Sequence, residues 1–316
     1  MRTVLTIVNG RRARRARALL LAVLPLAALT AGCGAATGAA GGNGSRIVVV
    51  AAENFWGSIA AQLGGSRTQV VSIITNPNTD PHAYEPTAGD ARTIAQAQYV
   101  IVNGAGYDPW APKLVDASPS AARTVLSVAD LAGRQGGDNP HMWYSPAVVL
   151  KVVDQVTSDL KRVDAADAGY FDQQRQAYLT AGLQRYNDLR VRIRQRYAGV
   201  PVGATESIVV DLARDLGLDL ITPPEYMTAT SAGDDPSAGD TSTVNEQIAR
   251  RQLAVLIFNR QNSTPDVQAL VDRATGLAIP VVAITETLDP GTSSFQDWQS
   301  AQLQDLADAL AKATGR

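Results

Sequence analysis

The chain has 316 residues, 45% of them hydrophobic and 18% charged. That composition supports a sizeable core and about two domains, and excludes a disordered or coiled-coil chain. The formal net charge of −2 is uneven: residues 1–32 carry Arg2, Arg11, Arg12, Arg14, Arg15 and Arg17 and no acid, which leaves 22 basic against 30 acidic residues, or −8, in the remainder. An acidic body argues against a nucleic-acid partner, which would select for a basic footprint.

Residues 1–32 read as a signal peptide, with a basic stretch, an apolar stretch of signal length, and then small residues. The apolar stretch is too short and interrupted for a transmembrane helix. The only cysteine, Cys33, closes "LTAGC". This looks like a bacterial lipobox, although Thr30 stands where leucine is commonest. Cys33 is then either lipidated, anchoring the mature chain to a membrane, or a free thiol near a ragged terminus. Residues 33–45, mostly glycine and alanine, suit a flexible lipoprotein linker. With Cys33 so used, any metal site must be built from nitrogen and oxygen.

The first α/β block is expected over 46–145. "RIVVVAA" (46–52) is a buried strand, and "NFWGSIAAQLGG" a helix with Asn54 as N-cap and Gly64 or Gly65 as its stop. "TQVVSII" (68–74) is the second strand, "GDARTIAQA" a helix, "QYVIVNG" a strand, "PWAPKLVDA" a helix and "TVLSV" (124–128) a short strand. Strands alternating with helices imply parallel βαβ units.

Residues 146–199 form a helical segment, with no proline between Pro146 and Pro201. Asp164 is placed to cap a helix. Leu179, Leu183, Tyr186, Leu189, Ile193 and Tyr197 form one apolar stripe. A helix of about 30 residues would be roughly 45 Å long. It is either half of a helical hairpin or a spine joining two lobes, and the spine is the reading adopted.

The second block, 200–316, repeats the grammar without repeating the letters. Strands are expected at "PVGAT" (201–205), "DLIT", "AVLIFN" (254–259) and "PVVAIT" (280–285). Helices are expected at "SIVVDLARDLG", "STVNEQIARRQ", "DVQALVDRATG" and the amphipathic "FQDWQSAQLQDLADALAKAT". "TATSAGDDPSAGDTST" (228–243) reads as a polar loop, a cleft lip or simple surface. The expected fold is α/β, two lobes with parallel sheets joined by one long backbone helix.

Ligands of open α/β sheets bind at the carboxyl ends of the strands. Four candidates fall there: His82, His141, Glu206 and Glu286. The chain has only two histidines, and both follow an acid or amide and then a proline, in "NTDPHAYEPTAGD" and "DNPHMWYSP". Pro81 and Pro140 bias the preceding residue to extended geometry and stiffen each approach. Neutral imidazole and ionised carboxylate are good ligands for divalent first-row metals. Taken singly, each has a plainer reading: a surface histidine, or for Glu206 the N-cap of the helix that follows.

"DPHAYEPTAGD" and "NPHMWYSP" resemble the two ligand motifs of the zinc- and manganese-uptake solute-binding lipoproteins of bacterial ABC importers, the cluster A-I metal-binding family. The second of those motifs reads Asp-Pro-His-x-Trp-x-x-Pro. "TPPEYMTATSAGDDPSAGD" and "VLIFNRQNSTP" are similar to segments of actinobacterial members, and the resemblance covers essentially all of 46–316. It implies two lobes joined by a long helix with a metal buried between them. His82 and His141 would be the first lobe's ligands. Glu206 takes the third position, histidine or glutamate in the family, and Glu286 the fourth, where aspartate is usual and Asp289 is a nearby substitute. Glu85 would brace the first histidine loop or act as an alternative ligand.

The implied function is capture of one divalent ion as cargo outside the membrane, Zn2+ or Mn2+ with Fe2+ also admitted, by a lipid-anchored monomer. The ion would be delivered to a membrane permease with its cytoplasmic ATPase. Two nitrogens and two carboxylates are a harder set than three histidines, which leans toward manganese or ferrous iron, although zinc binds most such sites more tightly. Four protein ligands would favour carriage over chemistry, because catalytic zinc keeps a position open for water. The rival readings are a metal-dependent hydrolase and a surface adhesin using the same cleft.

Overall fold

The computed structural model describes residues 46–79, 81, 84–288 and 294–316. The signal peptide, Cys33 and the linker therefore lie outside the described residues, as do His82 and Asp289. No described helix is long and apolar enough to cross a membrane.

The first lobe alternates β1 (Ile47–Glu53), α1 (Asn54–Gly64), β2 (Thr68–Ile74), α2 (Ala88–Gln96), β3 (Tyr99–Val102), α3 (Trp110–Ala117), β4 (Thr124–Ser127) and α4 (Val128–Ala132). Its four strands are parallel in the order β2-β1-β3-β4. The central strands are buried on both faces because helices cover both, which explains why "IVVVAA" and "YVIV" read as unbroken apolar runs. Packing between α1 and β2 is tight: a Cβ on Gly57 would stand 2.1 Å from Ser72 Oγ.

The second lobe repeats the topology with β5 (Pro201–Ala204), α8 (Val210–Leu216), β6 (Asp219–Leu220), α9 (Pro224–Ala232), α10 (Ala238–Ala249), β7 (Val255–Asn259), α11 (Pro265–Gly276), β8 (Val281–Ile284) and α12 (Phe295–Thr314). Its sheet is again parallel, in the order β6-β5-β7-β8. In both sheets the chain reverses its direction of strand addition beside the first strand, between β1 and β3 and between β5 and β7. Those switch points open crevices at the carboxyl ends of the strands.

The helical segment combines the two arrangements expected of it. Helix α5 (Pro146–Val163) packs back against α6 (Ala168–Ala177), and Asp164 caps the turn between them by accepting from Asp167 N. From α6 the chain runs through a π-helical turn, Tyr178–Gly182, into α7 (Gln184–Tyr197), which lies against α12 and α8. The apolar stripe starts at Tyr178, which is buried, rather than at Leu179, which is half-buried. In the wide turn Leu183 N donates to Tyr178 O five residues back, at 2.8 Å. The stripe therefore takes one five-residue step before resuming steps of three and four.

Two further expectations are corrected. Asn54 is the first residue of α1 and not its cap; its Oδ1 accepts instead from Leu288 N of the second lobe, at 3.1 Å. The polar stretch 228–243 is mostly helix, because Pro224 opens α9 and Ser237 caps α10 by accepting from Asp240 N at 3.1 Å. Its Gly/Ser/Asp content marks the solvated faces and caps of two helices, and only residues 233–237 connect them.

One apolar core runs from Ile47 in β1 through α5, α6 and α7 to Leu310 in α12, so the lobes and the helices between them share a single interior. Phe171 is fully buried in that core. Phe171→Ala is expected to cost about 3–5 kcal/mol, the range for deleting a buried ring. A denaturation midpoint within experimental error of the parent's would contradict this.

Candidate metal centre

The carboxyl ends of both sheets face one another, and the polar groups cluster there. Glu206 follows β5 and is 1% exposed. It occupies the N-cap position of the short helical turn at Ser207–Val209, but its side chain makes no capping bond, so capping does not explain it. Glu286 follows β8. Asn259, the last residue of β7, lies between the two: its Nδ2 donates to Glu206 Oε2 at 3.1 Å and to Glu286 Oε1 at 2.7 Å. One buried amide at the end of β7 thus bridges two carboxyl groups that follow the strands on either side of it.

This arrangement is electrostatically expensive. Burial, and then the negative charge of Glu286, push the Glu206 carboxyl up to about 8, with the Asn259 amide acting in the opposite direction. Glu206 Oε1 is buried without a hydrogen-bond partner among the described residues. Asn262, whose Nδ2 donates to Thr230 O at 3.1 Å, also acts to lower the Glu206 pKa, without a hydrogen bond of ordinary geometry to that oxygen.

The first lobe faces this pair with His141 and Tyr107. Tyr107 Oη donates to Glu286 Oε2 at 2.9 Å across the lobes. Its phenol is held well above its usual range by burial and by the negative charges of Glu286 and Glu53. His141 is 2% exposed, and its ring centroid lies 6.1 Å from that of Tyr107 and 5.3 Å from that of Trp143. Trp143 is fully buried and stacks on Phe55, with 4.2 Å between ring centroids. The tryptophan of the second motif therefore works as core, fixing the loop that carries the histidine. Asn103 anchors the same loop, since its Nδ2 donates to Pro140 O at 3.0 Å while its Oδ1 accepts from Trp56 Nε1 at 3.0 Å.

A second acidic pair lies deeper in the first lobe. Glu53, at the end of β1, is wholly buried with neither oxygen hydrogen-bonded at ordinary geometry. Burial and the neighbouring Asp108 carboxyl raise its pKa. Asp108 accepts from Asn103 N and Gly104 N, both at 2.7 Å, and these bonds limit its rise through burial to about 6. The turn that supplies those N–H groups is left-handed at Gly104, Ala105 and Gly106.

His141, Glu206 and Glu286 are thus gathered around the facing strand ends. Among the described residues, no three His, Cys, Asp or Glu side chains surround one point at metal-bonding geometry. His82 and Asp289 lie outside that set. Glu85 is exposed. The sequence reading missed Asn259, Tyr107, Asn139, Gln261 and the Glu53–Asp108 pair. Glu53 alone gave a signal, as the one acid ending an otherwise apolar strand.

A cavity of about 370 Å³ reaches the cluster from one side, lined by Pro77, Asn78, Gln261, Asn262 and Glu286 among others. A second, about 310 Å³, reaches it from the other, past Gly106, Asn139, His141, Ser207 and Ser231. Between them, Gln261 spans the cleft: its Nε2 donates to Pro77 O and Thr287 Oγ1, and its Oε1 accepts from Glu286 N.

Two α/β lobes of one topology, with acids and an imidazole gathered between their strand ends, define a two-lobed binding protein. The chain belongs to the zinc-uptake complex component A periplasmic family, whose profile matches residues 49–309. Among curated relatives, it is 27% identical over 166 residues to the manganese-binding lipoprotein MntA of Halalkalibacterium halodurans, spanning 50% of this chain and 53% of that one. It is 21% identical over 272 residues to the zinc-binding lipoprotein AdcA of Streptococcus pneumoniae, covering 78% and 52%. The chain thus spans about half the length of these relatives. Among solved structures, a Mn-bound periplasmic metal-binding protein from Candidatus Liberibacter asiaticus shares the fold with a TM-score of 0.67 at 17% identity, over 84% of this chain and all of that one. FpvC from Pseudomonas aeruginosa, solved in complex with Mn2+, shares it at 0.68 and 19%, over 85% and 100%.

Because Glu206 holds its proton more tightly folded than unfolded, its contribution to stability is full below about pH 4.5 and is lost as pH rises through about 8. Glu53 and Asp108 act in the same direction. The melting temperature of the metal-free protein should therefore fall between pH 5 and pH 9, and Glu206→Gln should flatten part of the fall. A melting temperature that rises over that range in the parent would contradict the electrostatics described.

Proposed function

We propose that this protein is the extracytoplasmic solute-binding component of an ABC importer for a divalent transition metal, zinc or manganese. The observation that carries the reading is the Glu206–Glu286 pair: one buried and one half-buried carboxyl group sharing one buried amide, facing an imidazole across a cleft. Two such groups sharing one amide resist joint ionisation without a compensating charge. A divalent cation supplies it, and the imidazole and carboxylate donors match that class of ion. Family membership and the metal-binding relatives support the same reading.

In this reading His82 and His141 give nitrogen from the first lobe, and Glu206 and Glu286 give oxygen from the second. The ion exchanges its hydration shell for these groups and is carried to a membrane permease powered by a cytoplasmic ATPase. Glu286 is preferred to Asp289 as the fourth ligand, since its carboxylate already shares the Asn259 amide with Glu206. Asn259 and Tyr107 hold the carboxylates in register while the ion is absent. The lobes are taken as 46–145 and 200–316, joined by 146–199, and Cys33 as the lipid anchor of a monomer. Membership of a metal-uptake family supports carriage over hydrolysis.

Metal analysis of protein purified without added metal, followed by titration with Zn2+ and Mn2+, tests the reading. The parent should bind one ion, and His82→Ala, His141→Ala and Glu206→Gln should each weaken binding by roughly 100-fold or more with little loss of folding. Unchanged titrations in the two histidine variants would remove the assignment.

Ligands must be deprotonated to bind. Since burial and the Glu286 charge push Glu206 up to about 8, binding at pH 7 should release about one proton per ion. Affinity should then fall as pH drops from 7.5 to 5, where the imidazoles also protonate. Measuring proton release in weakly buffered solution checks this, and a pH-independent affinity over the interval would sink it.

A further inference from the structure

We propose that Asn139 is a positioning residue that sets the tautomer of His141 and at the same time ties the loop carrying that histidine to the second lobe beside Glu206. The inference rests on His141 being a metal ligand only for its predicted effect on affinity. The coupling itself concerns the protein without metal.

The amide of Asn139 is oriented by two bonds that leave no choice. Its Oδ1 accepts from the backbone N–H of His141 at 3.0 Å, and a backbone N–H can only donate. Its Nδ2 donates to the carbonyl oxygen of Ser207 at 2.7 Å, and a carbonyl can only accept. Oxygen therefore faces His141 and nitrogen faces the second lobe. The same Oδ1 lies 2.8 Å from His141 Nδ1. An amide oxygen has no proton to give, so the imidazole proton sits on Nδ1, and Nε2 is the nitrogen with a lone pair to offer a cation.

Ser207 is the residue after Glu206. Asn139 thus spans from one proposed ligand to the backbone beside another, 68 positions along the chain and in the opposite lobe. Arg134 reinforces the span: its guanidinium donates to the carbonyl oxygen of Asn139 and to the Asp211 carboxylate on α8. Opening the cleft would break the Nδ2 bond, while the bond from His141 N to Oδ1 lies within one loop and would persist.

An aspartate could not do both tasks. It would keep an acceptor for His141 N and Nδ1, but its second oxygen would face the Ser207 carbonyl. Two acceptors cannot bond without an added proton. Asn139→Asp therefore separates the two roles, holding the imidazole while cutting the tie between lobes.

The chain has only two histidines, so a His82→Ala background leaves His141 as the single imidazole for 15N NMR. The metal-free protein in that background should show His141 protonated at Nδ1. Adding Asn139→Asp should retain that tautomer, and amide hydrogen exchange over 134–141 and 205–211 should quicken about tenfold. Adding Asn139→Ala should give a mixture of tautomers as well as faster exchange. With His82 intact, Asn139→Asp should weaken titration by Zn2+ alone by about 10- to 100-fold.

A His141 protonated at Nε2 in the metal-free protein would overturn the proposal without any Asn139 variant. So would an Asn139→Asp protein whose exchange and Zn2+ titration match the parent's. If His141→Ala binds Zn2+ like the parent, the ligand assignment fails on its own, and the tautomer and exchange results still decide whether Asn139 couples the lobes.

Discussion

Glu206 and Glu286 follow the strands on either side of β7 and meet around the buried amide of Asn259, with Glu206 itself buried and Glu286 half-buried. Like charges held that close in a poorly solvated space resist joint ionisation, and the protein manages the conflict by raising Glu206 and by lending donors from Asn259 and Tyr107. Much of the surrounding architecture serves to keep that conflict in place. The parallel sheet fixes where β5, β7 and β8 end, and so fixes which side chains meet. The first lobe is pinned opposite by Tyr107 to Glu286, by Tyr144 Oη to Thr285 O at 2.8 Å, and by Asn54 to Leu288.

These cross-lobe bonds, with the shared apolar core, limit how far the cleft can open. Ser58 Oγ accepts from Phe295 N at 2.9 Å, and Gln62 and Gln296 pair their amides between α1 and α12. Such contacts lie along one side of the molecule, next to the helices that carry the core from lobe to lobe. Asn139 and Gln261 line the two cavities, where a polar tie can be broken at lower cost than an apolar interface. The distribution favours a small local loosening at the rim over a wide hinge motion.

Much of this was legible in the sequence, for identifiable reasons. The central strands, buried on both faces, announce themselves as apolar runs, edge strands such as β2 and β4 follow as short β-branched runs between helices, and the alternation implied the parallel sheets. The carboxyl-end rule put His141, Glu206 and Glu286 in one region. Asn259, Tyr107 and Asn139 were missed because their importance comes from partners distant in sequence; nothing in "LIFNR" or "GAGYD" foretells an amide shared by two acids or a phenol reaching across the cleft. The misread stretch 228–243 shows the limit of composition. Caps and solvated helix faces use the same small polar residues as loops, and only the placement of Pro224 and Ser237 distinguishes them.

The wide turn at Tyr178–Gly182 has a consequence for how the spine holds its two ends. Five residues there cover the arc that four would cover in an ordinary turn, and the buried side on Phe171 and Tyr178 continues unbroken into Leu183 and Tyr186. The surplus residue is absorbed as a local widening and is not passed on as a rotation of everything downstream. The azimuth of the second lobe about the spine is thereby insulated from chain length at this point, so the facing of the two strand-end clusters does not depend on a strict residue count between them.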